Sequence, residues 1–196
     1  MLCLASAHAL VRLDDGTIVG DPMEKTALEA LDWALISGDK VAPTHPQAAA
    51  ALELTIRRRF QFSSALKRMS TVSVPKNSGG RAFAAVKGAP ETIKGMLASI
   101  PDGYDETYKW FTRRGSRVLA LGLKEMDAMS NDKIVHLARE QVESNLRFAG
   151  FLVFHCPLKE DAVETLKALA DSSHRVRELP SQNNSNPYLT SLCSVS

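Results

Sequence analysis

The sequence predicts an α+β fold, in which helices flank a mostly antiparallel sheet of roughly five to seven strands. One observation is a pair of strand-like segments joined by a turn rich in Asn, Ser and Gly, which is typical of an antiparallel hairpin. A second is the alternation of further strand-like segments with segments at helical spacing. The composition agrees with a folded globular domain, because 44% of the residues are hydrophobic and the 23% that are charged carry mixed signs.

The N-terminal part contains one predicted helix and one ambiguous segment. Apolar residues recur on one face from Glu24 to Ile36, which predicts an amphipathic helix that stops at Gly38. The turn Gly20-Asp21-Pro22 leads into this helix. The Ala-rich stretch after Pro46 is compatible with either a helix or an extended segment as far as Leu54.

The predicted hairpin occupies the middle of the chain. Phe60 and Phe62 alternate with polar residues, and a β-branched stretch follows from Met69 to Val74. Pro75 to Gly80 then supplies a loop of roughly six residues, which is longer than the tightest hairpin turns. Arg81 to Lys87 returns as the second strand.

The C-terminal half alternates predicted helices and strands. Helices are predicted at Pro90 to Leu97, Tyr104 to Thr112, Asn131 to Ser144 and Lys159 to Ala170, and strands at Ser116 to Leu123 and Arg147 to Phe154. Either Ser130 or Asn131 could cap the third of these helices. Leu179 to Ser196 is rich in Ser and Asn, has no periodicity, and is predicted to be a disordered or foreign tail.

Charge, cysteines and hydropathy restrict the classes of partner and compartment. The formal net charge is +2 and the densest basic run is Arg57 to Arg59, so no basic face for nucleic acid is expected. The three cysteines are far apart and lack the spacing of a zinc site or a disulfide framework, which fits a reducing compartment. No window approaches the roughly 20 apolar residues of a membrane span. The isolated chain is therefore expected to be soluble and cytosolic.

The run Lys87-Gly88-Ala89-Pro90-Glu91 is the most informative motif. A strand that ends in Lys and Gly and runs into a proline-started helix brings an ammonium group close to exposed backbone N–H groups. A phosphate could bind at such a junction. A strand-to-helix turn without a ligand is the alternative explanation of the same residues.

Four further signatures accompany this motif. They are Gly20 to Glu24 (GDPME), Phe62 with Lys67 to Ser70 (KRMS), Arg117 to Ala120 (RVLA), and Phe148 to Phe151 (FAGF) leading into Cys156 to Lys159 (CPLK). In this order and spacing, the series resembles the nucleotide-binding domain of P-type ATPases over about residues 1 to 177. The resemblance implies the antiparallel sheet flanked by helices of that domain, followed by a strand and a helix of an incomplete phosphorylation domain.

Two segments narrow the resemblance to a subgroup. Cys156 to Lys159 (CPLK) stands where most P-type ATPases have Asp-Pro-x-Arg, and Asp171 to Arg175 (DSSHR) follows. Both segments are similar to the type V enzymes of the A subgroup, which belong to the endoplasmic reticulum. The resemblance implies an intact enzyme in that membrane, with this domain facing the cytosol. Such an enzyme uses ATP either to dislocate mis-inserted transmembrane helices or to transport a cation such as manganese.

The resemblance also implies a set of ATP-binding residues. They are Phe62 as the ring on which adenine stacks, Glu24 on the adenine side, Lys67 and Lys87 near the base and the phosphates, Gly88 beside them, and Arg117 at the phosphate end. Each has a structural alternative. Phe62 could be a strand core residue, and Glu24 could be a helix N-terminal acid favoured by the helix dipole. Lys67 could belong to a solvated strand edge, and Arg117 could pair with a surface carboxylate such as Glu125 or Asp127.

An aromatic ring with several cations matches the flat base and the negative charge of ATP. Stacking contributes about 1–3 kcal/mol, and each charged hydrogen bond about 1.5–3 kcal/mol. The loss of ligand freedom opposes them. We therefore expect a dissociation constant between about 0.1 mM and several millimolar.

The segments that transfer phosphate in this family are not found in the sequence. The DKTGT, TGD and GDGxND segments and the actuator motif TGE are absent, although phosphoryl transfer needs a nucleophile and a magnesium site. We therefore predict no catalytic residue and no metal site in this chain. Mg²⁺ and the phosphorylation and actuator domains would be its partners in the intact enzyme. The alternative is a truncated, non-catalytic interaction fragment with a vestigial nucleotide pocket.

The predicted domain bounds follow from the same resemblance. Residues 1–147 form the nucleotide-binding domain, residues 148–177 a partial return into the phosphorylation domain, and residues 178–196 an irregular tail. On this prediction the strand Arg147 to Phe154 lies outside the sheet of the nucleotide-binding domain.

Overall fold

A computed structural model describes residues 1–155 and 160–172 of the chain. The predictions made for residues 156–159, for the end of the DSSHR segment and for the tail lie outside these ranges. The described residues divide into two compact units, of which the larger holds residues 1–104 and 118–152 and the smaller holds residues 105–117 and those after 152. Among the described helices, none combines the length and the apolar character that crossing a membrane requires.

The elements alternate along the chain as an α+β fold. The helices are α1 (Leu2–Ser6), α2 (Pro22–Glu29), α3 (Pro46–Leu52), α4 (Pro90–Lys94), α5 (Tyr104–Thr112), α6 (Asn131–Val135), α7 (Arg139–Val142) and α8 (Ala162–Asp171). The strands are β1 (Val11–Arg12), β2 (Ile18–Val19), β3 (Trp33–Ser37), β4 (Lys40–Pro43), β5 (Leu54–Ser63), β6 (Arg68–Pro75), β7 (Arg81–Gly88), β8 (Arg117–Ala128) and β9 (Arg147–Phe154).

Seven of the strands form one sheet in which each strand lies beside its neighbour in sequence. The order is β3-β4-β5-β6-β7-β8-β9, and the strand pairs from β3 to β8 are antiparallel. The predicted hairpin is confirmed as β6 and β7, with an unbroken register from Arg68 opposite Gly88 to Ser73 opposite Phe83. The predicted antiparallel sheet flanked by helices is therefore confirmed.

Helices cover both faces of this sheet. On one face Phe83 and Ala85 of β7 pack in a core that includes Cys3 of α1 and Leu28 of α2. Because side chains alternate along a strand, the intervening residues face the other side. There Ala82, Ala84 and Val72 pack with Ile134 of α6 and Val142 of α7, in a second core.

The predicted helix from Glu24 to Ile36 is wrong in its second half. Helix α2 ends at Glu29, and the backbone turns at Asp32, whose φ of 56° is left-handed. Trp33 and Leu35 then point into the core from strand β3, where burial alternates. Their spacing is that of a strand of period two. Leu35 and Ile36 continued the helical spacing of the earlier apolar residues only by coincidence.

Other bounds also differ from the prediction. The segment predicted as one helix from Asn131 to Ser144 forms the two short helices α6 and α7. Ser130 caps α6, since its hydroxyl accepts a hydrogen bond from the Lys133 N–H at 3.4 Å. Helix α4 is shorter than predicted, and the ambiguous Ala-rich stretch is helix α3.

Strand β9 is the last strand of the sheet, beside β8. This membership differs from the expectation that the strand lies outside the sheet of the nucleotide-binding domain. Phe148 and Phe151 of β9 pack with Tyr104, with ring centroids 5.1 and 4.8 Å away from its ring, and the Tyr104 hydroxyl donates to the Pro90 carbonyl. Each aromatic pair of this kind contributes about 0.5–1.5 kcal/mol beyond the burial of its surface. The domain bounds themselves stay a prediction.

Candidate functional site

Five of the six predicted ATP-binding residues lie in the larger unit. Glu24 is in the first turn of α2, Phe62 is near the end of β5, Lys67 precedes β6, and Lys87 and Gly88 end β7. The register places Arg68 opposite Gly88 and Met69 opposite Lys87, so the β5–β6 turn and the β7–α4 junction meet at one end of the sheet. The sixth residue, Arg117, belongs to the smaller unit.

Glu24 and Lys87 form a partly buried ion pair. The Lys87 Nζ atom is 2.6 Å from Glu24 Oε1, and the two side chains are only 12% and 10% exposed. The other carboxylate oxygen of Glu24 accepts a hydrogen bond from the Ala9 N–H at 2.8 Å. Helix α2 presents Glu24 there because Asp21 caps it, accepting from the Met23 N–H, and Pro22 starts its first turn. Glu24 is therefore more than an isolated N-terminal acid, since it binds the motif lysine directly.

Lys67 and Gly88 are brought together by a close approach of two strands. The Ala89 N–H donates to the Lys67 carbonyl at 3.0 Å, and the Lys67 N–H donates to the Ser63 carbonyl at 2.7 Å. A Cβ atom at Gly88 would lie 2.5 Å from the Lys67 carbonyl oxygen, so this position accepts only glycine without movement. The Lys67 side chain is 43% exposed and lies 3.9 Å from Glu91. Its ammonium group is thus accessible from solvent.

Phe62 presents a free aromatic ring next to this turn. Its side chain is 61% exposed, so the alternative that it is a strand core residue is wrong. The pairing of β5 with β6 is irregular between Phe60 and Ser63, which takes Phe62 out of the regular ladder. By contrast, Phe60 packs against the second core and lies under the guanidinium of Arg58, 4.8 Å from the ring centroid.

Arg117 is the first residue of β8 and is exposed. Exposure is compatible with a role at the phosphate end and with surface pairing, so both explanations of Arg117 stay open. A groove of about 480 Å³ in the larger unit is lined by other residues, namely Ala128, Met129, Lys133, His136, Leu137 and Gln141. None of the six predicted residues contributes to it.

A buried carboxylate near the turn was not predicted from the sequence. Glu143, at the end of α7, is 2.6 Å from Arg68 Nε and 2.7 Å from the Ser70 hydroxyl, and only 2% of its side chain is exposed. Arg68 and Ser70 belong to the KRMS motif, but no pattern in the sequence connects that motif with Glu143. Glu143 lies 75 positions after Arg68 and 73 after Ser70, so these contacts leave no local signal in the sequence.

Two titratable groups are buried in α1 and just after it, namely Cys3 and His8. Desolvation lowers the pKa of His8 to about 4, and the charges of Arg59 and Lys87 act in the same direction. Desolvation also raises the pKa of the Cys3 thiol to about 12. His8 is joined to the site through the chain, because the adjacent Ala9 N–H binds Glu24. Both groups are thus uncharged at neutral pH.

The described residues do not fit a resident metal ion. Within residues 1–155 and 160–172, no group of three or more His, Cys, Asp or Glu side chains lies close enough to hold one. The carboxylates of the site, Glu24 and Glu91, each face a lysine instead. The exposed ring of Phe62 and the exposed ammonium group of Lys67 would suit a ligand that has a flat ring and negative charge.

Comparisons with known proteins identify relatives of this chain. Residues 2–161 match the family model of the P-type ATPase cytoplasmic domain N. The chain is 53% identical over 175 residues to the endoplasmic reticulum transmembrane helix translocase of Saccharomyces cerevisiae, covering 89% of this chain and 14% of that protein. The protein of the same name in Schizosaccharomyces pombe is 44% identical over 190 residues, covering 93% of this chain and 16% of that protein.

A plant protein is also similar. A probable manganese-transporting ATPase of Arabidopsis thaliana is 43% identical over 171 residues, covering 87% of this chain and 14% of that protein. The chain thus spans about one-seventh of the length of these relatives. The family model covers most of the chain, and the antiparallel sheet flanked by helices agrees with it. The chain therefore belongs to the P-type ATPase family, as the cytoplasmic domain N of such an enzyme.

Proposed function

We propose that this chain binds ATP on behalf of a P-type ATPase, through Phe62, Lys67, Lys87, Gly88 and Glu24 of its larger unit. The role of Arg117 at the phosphate end stays a separate prediction of the resemblance. The observation that carries the proposal is the accessible ring of Phe62 near the end of β5, just before the turn that ends at the accessible ammonium of Lys67. The Glu24–Lys87 pair lies at the same end of the sheet, one residue from Gly88.

The residues have separate tasks in this proposal. Adenine stacks on Phe62, a contact worth about 1–3 kcal/mol. Lys67 binds the negative end of the nucleotide. Lys87 is held in place by Glu24, and Gly88 lets the strands approach closely enough to bring Lys67 beside it. The sum is consistent with a dissociation constant between about 0.1 mM and several millimolar.

The work of the intact enzyme is the second part of the proposal. The fungal relatives are named endoplasmic reticulum transmembrane helix translocases, and the plant relative a probable manganese-transporting ATPase. We infer an enzyme of the endoplasmic reticulum membrane with this domain on the cytosolic side. It would move either a transmembrane helix or a cation, and its phosphorylation and actuator domains and Mg²⁺ would complete the reaction.

Titration of the full chain with ATP tests the binding proposal. The amides of residues 62–69 and 86–89 should shift, and Phe62→Ala should weaken binding by about 1–3 kcal/mol because it removes the stacking surface. Phe62→Tyr keeps the ring and should bind nearly as the wild type does. Leu52→Ala removes a comparably exposed apolar side chain, 47% exposed on α3, and should change nothing.

The competing hypothesis is a non-catalytic fragment with a vestigial pocket. Absence of amide shifts at roughly 10 mM ATP, above the expected dissociation constant, would favour that hypothesis. An unchanged affinity of Phe62→Ala would instead remove Phe62 from the site while leaving ATP binding intact.

A further inference from the structure

Glu143 lies on the face of the sheet opposite to the Glu24–Lys87 pair. Along β6 and β7, Met69 and Lys87 share one face, and Ser70 and Arg68 share the face of Val72 and the second core. Glu143 is bound on that second face, by the Ser70 hydroxyl and by Arg68. Its carboxylate is buried and is not among the proposed contacts with ATP.

Arg68 connects Glu143 to the turn that precedes β6. Its Nε atom donates to Glu143 Oε2 at 2.6 Å, and its Nη1 atom donates to the Leu66 carbonyl at 3.2 Å. One planar guanidinium thus binds a buried carboxylate on one side and the backbone of the turn on the other. A guanidinium suits this task because its donors have a fixed geometry.

The turn between β5 and β6 carries the two accessible groups of the proposed site. Phe62 lies just before it, and Lys67 ends it with a left-handed φ of 51°. For a residue other than glycine this conformation is unfavourable by itself and needs support from its surroundings. Support comes from the Lys67 N–H bond to Ser63 and from the bond of Arg68 to Leu66.

We propose that Glu143 is a positioning residue of the nucleotide site, which acts through Arg68 to hold the β5–β6 turn and so orients Phe62 and Lys67. This inference rests on the proposed ATP binding. The carboxylate also lies 3.7 Å from Arg139 Nε, so its negative charge is shared by two guanidinium groups. Removing it leaves Arg68 without the anchor that fixes its orientation.

Three variants of the full chain separate positioning from general stability. Glu143→Gln removes the charge and keeps the size, whereas Arg68→Lys keeps the charge but cannot bind two acceptors in the same plane. Ser70→Ala is the matched control, because it removes a bond to Glu143 without touching Arg68 or the turn. Thermal unfolding measures what each change does to stability.

ATP affinity is the first readout. Glu143→Gln and Arg68→Lys should each weaken binding about two- to tenfold, the range that corresponds to one net hydrogen bond. Ser70→Ala should change the ATP affinity by no more than about twofold, even if it lowers the thermal stability as much as the other two variants do. A variant that carries both Glu143→Gln and Arg68→Lys should bind ATP no more weakly than the single variant with the lower affinity. The reason is that Glu143 acts on the turn only through Arg68.

Hydrogen exchange of the turn amides in the nucleotide-free chain is the second readout. Glu143→Gln should speed exchange at residues 64–67 and leave the amides of β3 and β4 unchanged, an effect that a loss of global stability would not confine to the turn. Should Glu143→Gln fail to fold, Arg68→Lys, whose residue is partly exposed, gives the same test.

Two results would overturn the inference in different ways. If the wild type shows no ATP-dependent shifts, the proposed function fails and the inference fails with it. If the wild type binds ATP and Glu143→Gln and Arg68→Lys bind it equally well, only the positioning role is wrong.

Discussion

Replacing Gly88 by alanine tests whether the close approach of two strands builds the site. A Cβ atom at this position would lie 2.5 Å from the Lys67 carbonyl oxygen, 2.7 Å from Arg68 Cβ and 3.0 Å from Arg68 Cα. Two of these three atoms are backbone, so they cannot move aside as the end of a flexible side chain could. Gly88 is not in the left-handed φ region, and therefore the obstacle is contact with β6 and not backbone conformation.

The cost can be worked from that contact. Forcing an extra methyl group into a packed region destabilises by about 1–3 kcal/mol, and the smaller unfolded-state entropy of alanine returns about 0.4–1 kcal/mol. The net loss is about 1–2 kcal/mol, and for a chain of this size it lowers the melting temperature by about 2–8 °C. The added methyl group pushes β7 away from Lys67, which is a residue of the proposed site. ATP affinity should therefore fall together with stability.

Gly95→Ala is the matched control. Gly95 ends α4 with a φ of −69°, and the nearest atom to its added Cβ is the Thr92 carbonyl oxygen at 3.7 Å, an ordinary contact. This variant should be neutral or up to about 1 kcal/mol more stable. Circular dichroism melts and ATP titrations compare the two variants directly. Equal melting temperatures for both would refute the steric reasoning, and a destabilised Gly88→Ala with unchanged ATP affinity would separate the close approach from the site.

Three further predictions concern buried or capping groups. Burial lowers the pKa of His8 from its ordinary 6.5 to about 4, so the unfolded chain binds more protons than the folded chain between these pH values. The free energy of unfolding should therefore fall as the pH falls from 6.5 towards 4, by up to about 3 kcal/mol. His8→Asn should flatten this dependence in urea titrations across the pH range, and the exposed control His45→Gln should not. Cys3, whose pKa is raised to about 12, should resist iodoacetamide at pH 8 until denaturant is added, as peptide mass spectrometry would record; modification without denaturant would contradict its burial. Asp21→Ala removes the bond to the Met23 N–H and should lower stability by about 1 kcal/mol in urea unfolding, and no change would mean that this cap contributes little.

The central hairpin could be predicted from the sequence because local rules agree there. Alternating and β-branched residues flank a turn of Asn, Ser and Gly, and the strands pair within one short stretch. Strand β3 could not be predicted in the same way. Its residue Leu35 continues the helical spacing of Leu28 and Leu31, and only packing against α1 and β4 decides for the strand. Tertiary contacts here override the local pattern.

In the candidate site too, local motifs could be found in the sequence, whereas contacts between distant residues could not. From local order alone, the motif around Lys87 and Gly88 left a phosphate site and a ligand-free turn both open. In the structure its residues meet the turn that ends at Lys67. The partners that fix the site had no local signal. Glu143 and Ala9 reach it across many residues, and a single glutamate in an amphipathic segment looks like any solvated acid. Such contacts are settled by the topology of the sheet.

Helix α1 joins the fold through contacts that are very distant in sequence. The Cys3 thiol lies 3.7 Å from the Val86 carbonyl and 3.5 Å from the Gly122 carbonyl, 83 and 119 residues further on. In contrast, strands β3 to β7 pair only with their neighbours along the chain. During synthesis at about 5–20 residues per second, α1 would therefore wait roughly 6–24 s for its docking surface to be made.

Strands β5 to β7 can thus pair locally before α1 docks on them, because short loops close at a lower entropic cost than long ones. Since Ala9 follows α1 and binds Glu24, the face of the sheet that carries Lys87 would be completed last. A nascent chain halted before Gly122 would have a formed hairpin but an uncovered apolar helix.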